Sequence, residues 1–251
     1  MSETAKLRGK TVLITGGAKR VGAELGRCLH AAGANIVVHY HRSADAANAL
    51  TAELNAARPK SAVAVAGDLL DLSNMSTLVD AATQTFGHLD VLVNNASTFY
   101  PTPFPEITAA QWDDLIGSNL KAPLFLTQAA TMALRLTKGL VLNIVDIHGQ
   151  RPLRRYPVYS IAKAGLIMLT RSLARELGPH IRVNGIAPGP VMWPADGGTG
   201  QALQEKIIDR TALKRAGSAQ DITRAALFFC ADAPYVTGQI LAIDGGRSIG
   251  W

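Results

Sequence analysis

Tyr159 and Lys163 stand four residues apart in the run Tyr159-Ser160-Ile161-Ala162-Lys163, within a stretch of helical apolar rhythm. Residues at that spacing share one face of a helix, so phenol and ammonium point the same way. A tyrosine with an ordinary pKa near 10 is a poor acid or base at neutral pH, and an adjacent ammonium favours its phenolate. The spacing therefore predicts proton-transfer chemistry at Tyr159, with its pKa lowered by Lys163. Asn119 falls in the middle of a long predicted helix. Its amide either anchors a water that links Lys163 to solvent or simply faces solvent.

A second group of residues suits a phosphorylated ligand. The turn Thr15-Gly16-Gly17-Ala18-Lys19-Arg20-Val21-Gly22 directly follows a predicted strand and opens a predicted helix. Glycines there permit a tight turn and close approach of backbone N–H groups to a pyrophosphate, whose charge the helix N-terminus favours. At the end of the second strand, where an NAD enzyme carries an acidic residue for the ribose 2′-hydroxyl, the chain has His39-Tyr40-His41-Arg42-Ser43 instead. Guanidinium, imidazoles and hydroxyl suit a 2′-phosphate, so NADPH is the expected cofactor. Asp68 and Leu69, just past the third strand, fit an adenine contact, although Gly67-Asp68 also reads as a turn.

These groups need a frame to position them. Strands are expected at Thr11 to Thr15, Asn35 to Tyr40, Ala62 to Ala66, Val91 to Asn94, Leu140 to Val145, Arg182 to Ile186 and Gln239 to Ile243. Helices are expected at Val21 to Ala32, Ala44 to Ala57, Ser73 to Phe86, Ala109 to Arg135, Tyr156 to Leu177 and Ala219 to Ala231. Apolar strands alternating with helices predict an α/β fold: a Rossmann-like, doubly wound parallel sheet of about seven strands with helices on both faces. No linker divides the chain, so one domain over 1–251 is expected, with a substrate loop around 188–215. The loops Tyr100 to Glu106 and Pro188 to Gly200 follow strand C-terminal ends, where this architecture places its ligand crevice.

Composition narrows the function classes. The 251 residues are 48% hydrophobic and 18% charged, ordinary for a globular protein, and no apolar run approaches the roughly 20 residues of a membrane helix. The polar Met1 to Lys10 lacks the pattern of a secretory signal, so a soluble, cytoplasmic protein is expected. Cys28 and Cys230 read as small core residues, and no metal site is expected. A net charge of +6 with no run of Lys and Arg favours small anionic ligands over nucleic acid.

The turn after the first strand, Asn94-Asn95-Ala96, Asn119, the Tyr159/Lys163 pair, Pro188-Gly189 and Asp244-Gly245-Gly246 together resemble the short-chain dehydrogenases/reductases over nearly the whole chain. The resemblance implies that Tyr159 is the proton donor or acceptor, that Lys163 binds the nicotinamide ribose, and that the Asn-Asn-Ala turn packs against adenosine. Two positions depart from the family pattern. Asp146 stands where the family usually has a serine that polarises a substrate carbonyl, thirteen residues before the tyrosine. A carboxylate cannot stabilise a carbonyl oxyanion unless protonated, but it can accept from N–H groups or support proton delivery to nitrogen. Arg20 replaces the middle glycine of the phosphate turn and sets a cation beside the pyrophosphate.

With Asn95-Ala96-Ser97-Thr98-Phe99-Tyr100-Pro101-Thr102-Pro103 and the His39 to Ser43 run, these departures resemble the pteridine reductase branch of the family. That implies a substrate site lined by Arg20, Ser97 and Phe99, a pterin sandwiched between the ring of Phe99 and nicotinamide, and a catalytic group of Asp146, Tyr159 and Lys163. Stacking suits a flat heteroaromatic ring, and imine reduction needs a proton at nitrogen. Without the resemblance, Phe99 reads as core and Asp146 as a surface carboxylate.

His148, Arg151, Arg154 and Arg155 either accept the glutamate of dihydrofolate or form a solvated or oligomer-facing loop. Trp193, following Pro190, is a candidate lid over the substrate or packs against a neighbouring subunit. The expected activity is NADPH-dependent reduction of a dihydropterin, with dihydrofolate as a further candidate. Carbonyl reductase of the same family and non-catalytic NADPH sensor are the alternatives. The resemblance also implies a homotetramer.

Overall fold

The computed structural model describes residues 6–191 and 200–250. Seven strands form one parallel sheet in the order β3-β2-β1-β4-β5-β6-β7. They are β1 (Thr11–Ile14), β2 (Asn35–Tyr40), β3 (Ala62–Ala66), β4 (Val91–Asn94), β5 (Leu140–Ile144), β6 (Arg182–Pro188) and β7 (Ile240–Ile243). The helices between them are α1 (Arg20–Ala31), α2 (Ala44–Ala57), α3 (Asn74–Phe86), α4 (Ala109–Ile116), α5 (Ala122–Thr137), α6 (Pro157–Leu177), α7 (Gln201–Asp209) and α8 (Ala219–Leu227).

Alternation along the strands divides the core between the two faces of the sheet. Val12 and Ile14 of β1, with Ile36 and Val38 of β2, pack under Leu25 and Leu29 of α1, Leu50 of α2 and Ile222 of α8. Leu13 and Val37 point the other way, to Leu78 of α3 and to Leu126 and Leu134 of α5. Strand order reverses between β1 and β4, so chain segments diverge beyond their C-terminal ends and leave the crevice of a doubly wound sheet.

Two of the expected elements differ in an instructive way. The single helix predicted over Ala109 to Arg135 is interrupted by a π-helical turn, Gly117–Lys121, between α4 and α5. Pro123 has no N–H to offer, and its ring would clash with the carbonyl four residues back at Asn119, so the turn widens there. Helix α7 lies within the segment expected as a substrate loop. Its Leu203 and Ile207 share one face, but none of its residues is buried. Among the described residues no helix is long and apolar enough to cross a membrane.

Candidate active site

The turn between β1 and α1 is built by close packing around glycine. Gly16 sits at φ 58°, and a Cβ there would come within 3.0 Å of the Ala96 backbone. Thr15 Oγ1 accepts from the N–H groups of Asn95 at 2.9 Å and Ala96 at 3.0 Å, and the Asn95 amide donates to the carbonyls of Thr15 and Gly16 at 2.9 and 3.1 Å. The exit of β4 is thereby laced to the turn. Gly22 is the tightest point, since a Cβ there would overlap Gly16 O and approach Asn95 Nδ2 to 2.7 Å. Gly22→Ala is expected to displace the turn, destabilising the fold by about 2 kcal/mol or more as overpacking does. Thermal unfolding checks this.

Lys19, His41 and Arg42 are exposed at this end, with Val21, Tyr40 and Ser43 half-buried. His41 Nε2 lies 3.8 Å from Asp68 Oδ2, and Asp68 Oδ1 accepts from Leu70 N, next to half-buried Leu69. His39 departs from the surface run predicted for it. It is 2% exposed, inside β2, with both ring nitrogens occupied by backbone partners.

Arg20 opens α1 in the left-handed region, φ 52°, a conformation natural to glycine and costing another residue about 1 kcal/mol.

Beyond β5 the chain presents Asp146. Its Oδ1 accepts from His148 N at 2.8 Å, starting a short 3₁₀ turn, and its Oδ2 accepts from the Tyr159 hydroxyl at 2.8 Å. Pro157 at the first position of α6 sets the helix direction, and Tyr159 and Lys163 share its inner face as their spacing predicts. Lys163 is 2% exposed; its ammonium donates to Ile144 O at 3.1 Å and lies 5.6 Å from the centre of the Tyr159 ring.

The electrostatics overturn one expectation. Burial, followed by the charge and hydrogen bond of Asp146, pushes Tyr159 well above its ordinary pKa, against a small opposing effect from the Ser97 hydroxyl. The phenol is thus kept protonated. Burial brings Lys163 down to about 8, partly countered by the Asp146 carboxylate.

Asn119 does not face solvent. It is fully buried in the π turn; its amide donates to Thr98 O and Leu115 O at 3.0 Å each, and its Oδ1 accepts from Ser97 Oγ at 2.6 Å. It holds the segment after β4 in place and makes no bond to Lys163. Phe99, at the end of that segment, is 49% exposed and so is not core. It stacks on Tyr156 at 4.6 Å and 10°, and meets Tyr159 edge-on at 4.8 Å.

Tyr156 is the residue that sequence reasoning missed. It is the N-cap of α6, outside the helix, so no helix-face spacing pointed to it; its stacking on Phe99 is a fact of the fold.

Other predicted residues frame the site. Gly189 N donates to Ile243 O at 3.0 Å after Pro188 closes β6, and Pro190 O accepts from Gly217 N at 2.9 Å. Thr102 N donates to Arg155 O at 2.7 Å, which brings the arginine-bearing loop against the segment of Phe99. Arg154 and Arg155 are exposed and Arg151 half-buried. Trp193 lies outside the described residues. A cavity of about 390 Å³ at the exit of β7, lined by Leu213, Arg215, Asp221 and Asp244 among others, includes none of Asp146, Tyr159 and Lys163.

A parallel sheet with this crossover and a Tyr/Lys pair at its crevice defines an oxidoreductase of the Rossmann-like class. Residues 16–248 match the family model described as enoyl-(acyl carrier protein) reductase, and the chain belongs to the short-chain dehydrogenases/reductases. It is 38% identical to pteridine reductase 1 of Leishmania tarentolae, over 94% of this chain and 96% of that protein. An uncharacterized oxidoreductase of Methylorubrum extorquens is 34% identical, over 96% and 99%. A 3-oxoacyl-[acyl-carrier-protein] reductase of Staphylococcus aureus is 32% identical, over 94% and 97%.

Proposed function

We propose that the protein is an NADPH-dependent pteridine reductase, converting a dihydropterin such as dihydrobiopterin or dihydromonapterin to the tetrahydro form, with dihydrofolate as a further substrate. The observation that carries this is the 2.8 Å bond from the Tyr159 hydroxyl to Asp146. It puts a carboxylate where a carbonyl reductase needs a hydroxyl donor, and a carboxylate repels a developing oxyanion. An exposed aromatic face at Phe99 beside the pair suits a flat ring.

The residues present fit the dinucleotide. The turn has no room for a Cβ at Gly22, α1 points its N-terminus at it, and Lys19, His41 and Arg42 are exposed cations or imidazoles beside it. Gly16, Lys19, Arg20 and Val21 would hold the pyrophosphate, and His41, Arg42 and Ser43 the 2′-phosphate. Asp68, Leu69, Asn95 and Ala96 would line the adenosine end, with Ser97, Lys163, Pro188 and Gly189 towards the nicotinamide. When bound, NADPH supplies a hydride.

The chain's own residues supply the rest. Phe99, backed by the stacked ring of Tyr156, offers its exposed ring to the pterin, and Arg20, kept at a glycine-like backbone angle, presents a cation to it. Tyr159 carries the proton destined for the ring nitrogen. Releasing that proton beside the Asp146 carboxylate would leave two adjacent negative charges. Lys163 offsets the charge left behind.

A second reading, reduction of a 3-oxoacyl thioester, is favoured by the Staphylococcus aureus relative. The deciding assay follows NADPH oxidation with dihydrobiopterin, dihydromonapterin, dihydrofolate and a β-ketoacyl thioester. Turnover of a pterin alone supports the first reading, turnover of the thioester alone the second. Tight NADPH binding with no turnover would make the protein a sensor. We further propose a homotetramer, supported by exposed Leu124, Met132 and Leu136 on α5 and Ile161 and Met168 on α6, which sedimentation equilibrium tests.

A further inference from the structure

His39 spends every polar atom inside the protein. Its Nδ1 accepts from the Gly16 N–H at 3.1 Å, its Nε2 lies 3.0 Å from the Gly67 carbonyl, and its own carbonyl accepts from Gly17 N–H at 2.9 Å. A nitrogen that faces a donor must be unprotonated and one that faces a carbonyl must carry the hydrogen, so the geometry requires the Nε2–H tautomer. The ring thus bridges two loops that flank the crevice.

We propose that His39 is a positioning residue, a clamp that ties the phosphate turn at Gly16 to the loop entered at Gly67 and sets the dinucleotide site without touching the dinucleotide. The proposal rests on the dinucleotide reading given above. Gly16 has the freest backbone of any residue type, and its φ of 58° is one choice among many. Fixing its N–H on the ring, and that of Gly17 on the His39 carbonyl, removes that freedom before ligand arrives.

The clamp is sensitive to acid. A second proton turns Nδ1 into a donor aimed at the Gly16 N–H, and the bond is lost. Burial opposes that proton and holds His39 below the ordinary histidine range. Of the charged groups around the ring, His41 opposes protonation further and Asp68, at the exit of β3, favours it. Leu78 of α3, packed beside Gly67, is apolar. The clamp is accordingly closed above the unfolded histidine pKa of about 6.5 and opens as pH falls through the lower folded value.

The test compares the native chain with His39→Asn and His39→Phe. Asparagine offers an acceptor close to the place of Nδ1 and does not titrate; phenylalanine keeps the bulk and makes neither bond. NADP⁺ affinity is measured by calorimetry from pH 5 to 8, and the imidazole ¹⁵N signals of the ligand-free native protein are recorded. The 2′-phosphate titrates near pH 6 in all three complexes, so its effect cancels in the comparison. Acidification is expected to weaken native binding about tenfold more than binding by His39→Asn, and His39→Phe to bind about tenfold more weakly at pH 7. His39 should show a neutral Nε2–H ring at pH 7. Equal acid dependence in native and His39→Asn proteins would overturn the clamp, as would an Nδ1–H or charged ring at pH 7. Should His39→Phe fail to fold, the Asn comparison decides. Should none of the proteins bind NADP⁺, the dinucleotide reading fails, and the ring's tautomer still decides whether the clamp exists.

Discussion

Lys163→Met is expected to reduce turnover by at least about 10²-fold, the usual contribution of an assisted proton transfer, while leaving the ligand-free protein no less stable than the native chain. The native lysine is 2% exposed and its ammonium donates to the Ile144 carbonyl. Its pKa of about 8 lies below the ordinary value of 10.5 because burial disfavours the ammonium. Between those two values the unfolded chain binds a proton that the folded chain does not, so stability rises with pH across that window. Below it, the buried charge costs the fold about 3 kcal/mol. Methionine removes that cost and gives up one hydrogen bond to a carbonyl, worth roughly 1 to 3 kcal/mol with the desolvated acceptor counted. Thermal unfolding at pH 7 should then show an unchanged or slightly raised midpoint. In the native enzyme, turnover should fall as pH rises through about 8, where the ammonium is lost. A midpoint lowered by many degrees, or a pH profile flat through 8, would show that Lys163 serves the fold rather than the chemistry.

The sheet and the facing of Tyr159 and Lys163 were legible in the sequence because both follow from periodicity. Alternating β-branched strands and helical stripes define a parallel sheet, and a four-residue spacing defines a shared helix face. What periodicity does not encode is which neighbour a side chain meets. The His39 to Ser43 run reads as a cationic exit from β2, yet β2 extends through Tyr40 and buries His39 against Gly16 and Gly67, while His41, past the end of the strand, stays outside. Asn119 could have faced solvent, but the π turn that Pro123 forces buries it and aims its amide at Ser97 and Thr98. The direction of the Tyr159 shift was wrong in the sequence reading for a similar reason. The lysine was visible four residues away in the chain, whereas burial and the 2.8 Å approach of Asp146 are facts of the fold.

That approach makes Asp146 the residue on which substrate choice should turn. Asp146→Ser is expected to lower pterin turnover about 10² to 10³-fold, because Tyr159 loses the acceptor that orients its hydroxyl. The fold should be little affected, since a serine hydroxyl can still accept from His148 N at the start of the 3₁₀ turn. Two shifts should accompany the loss. Tyr159 should ionise more readily, since two of the causes that raise its pKa come from Asp146, while burial, the largest cause, remains. The alkaline limb set by Lys163 should move below about 8, because Asp146 supports that ammonium. Asp146→Asn separates the contributions. It keeps an oxygen for His148 N or for the Tyr159 hydroxyl but carries no charge, so turnover should fall even where binding of the pterin persists. Steady-state rates across pH 5 to 9 for both variants, with a pterin and a β-ketoacyl thioester, read all of these effects together. Gain of thioester reduction by Asp146→Ser would identify the carboxylate as what sets this chain apart from the carbonyl reductases. Undiminished pterin turnover by Asp146→Asn would mean that Tyr159 delivers its proton without help, and the Asp146 pair would lose its place in the mechanism.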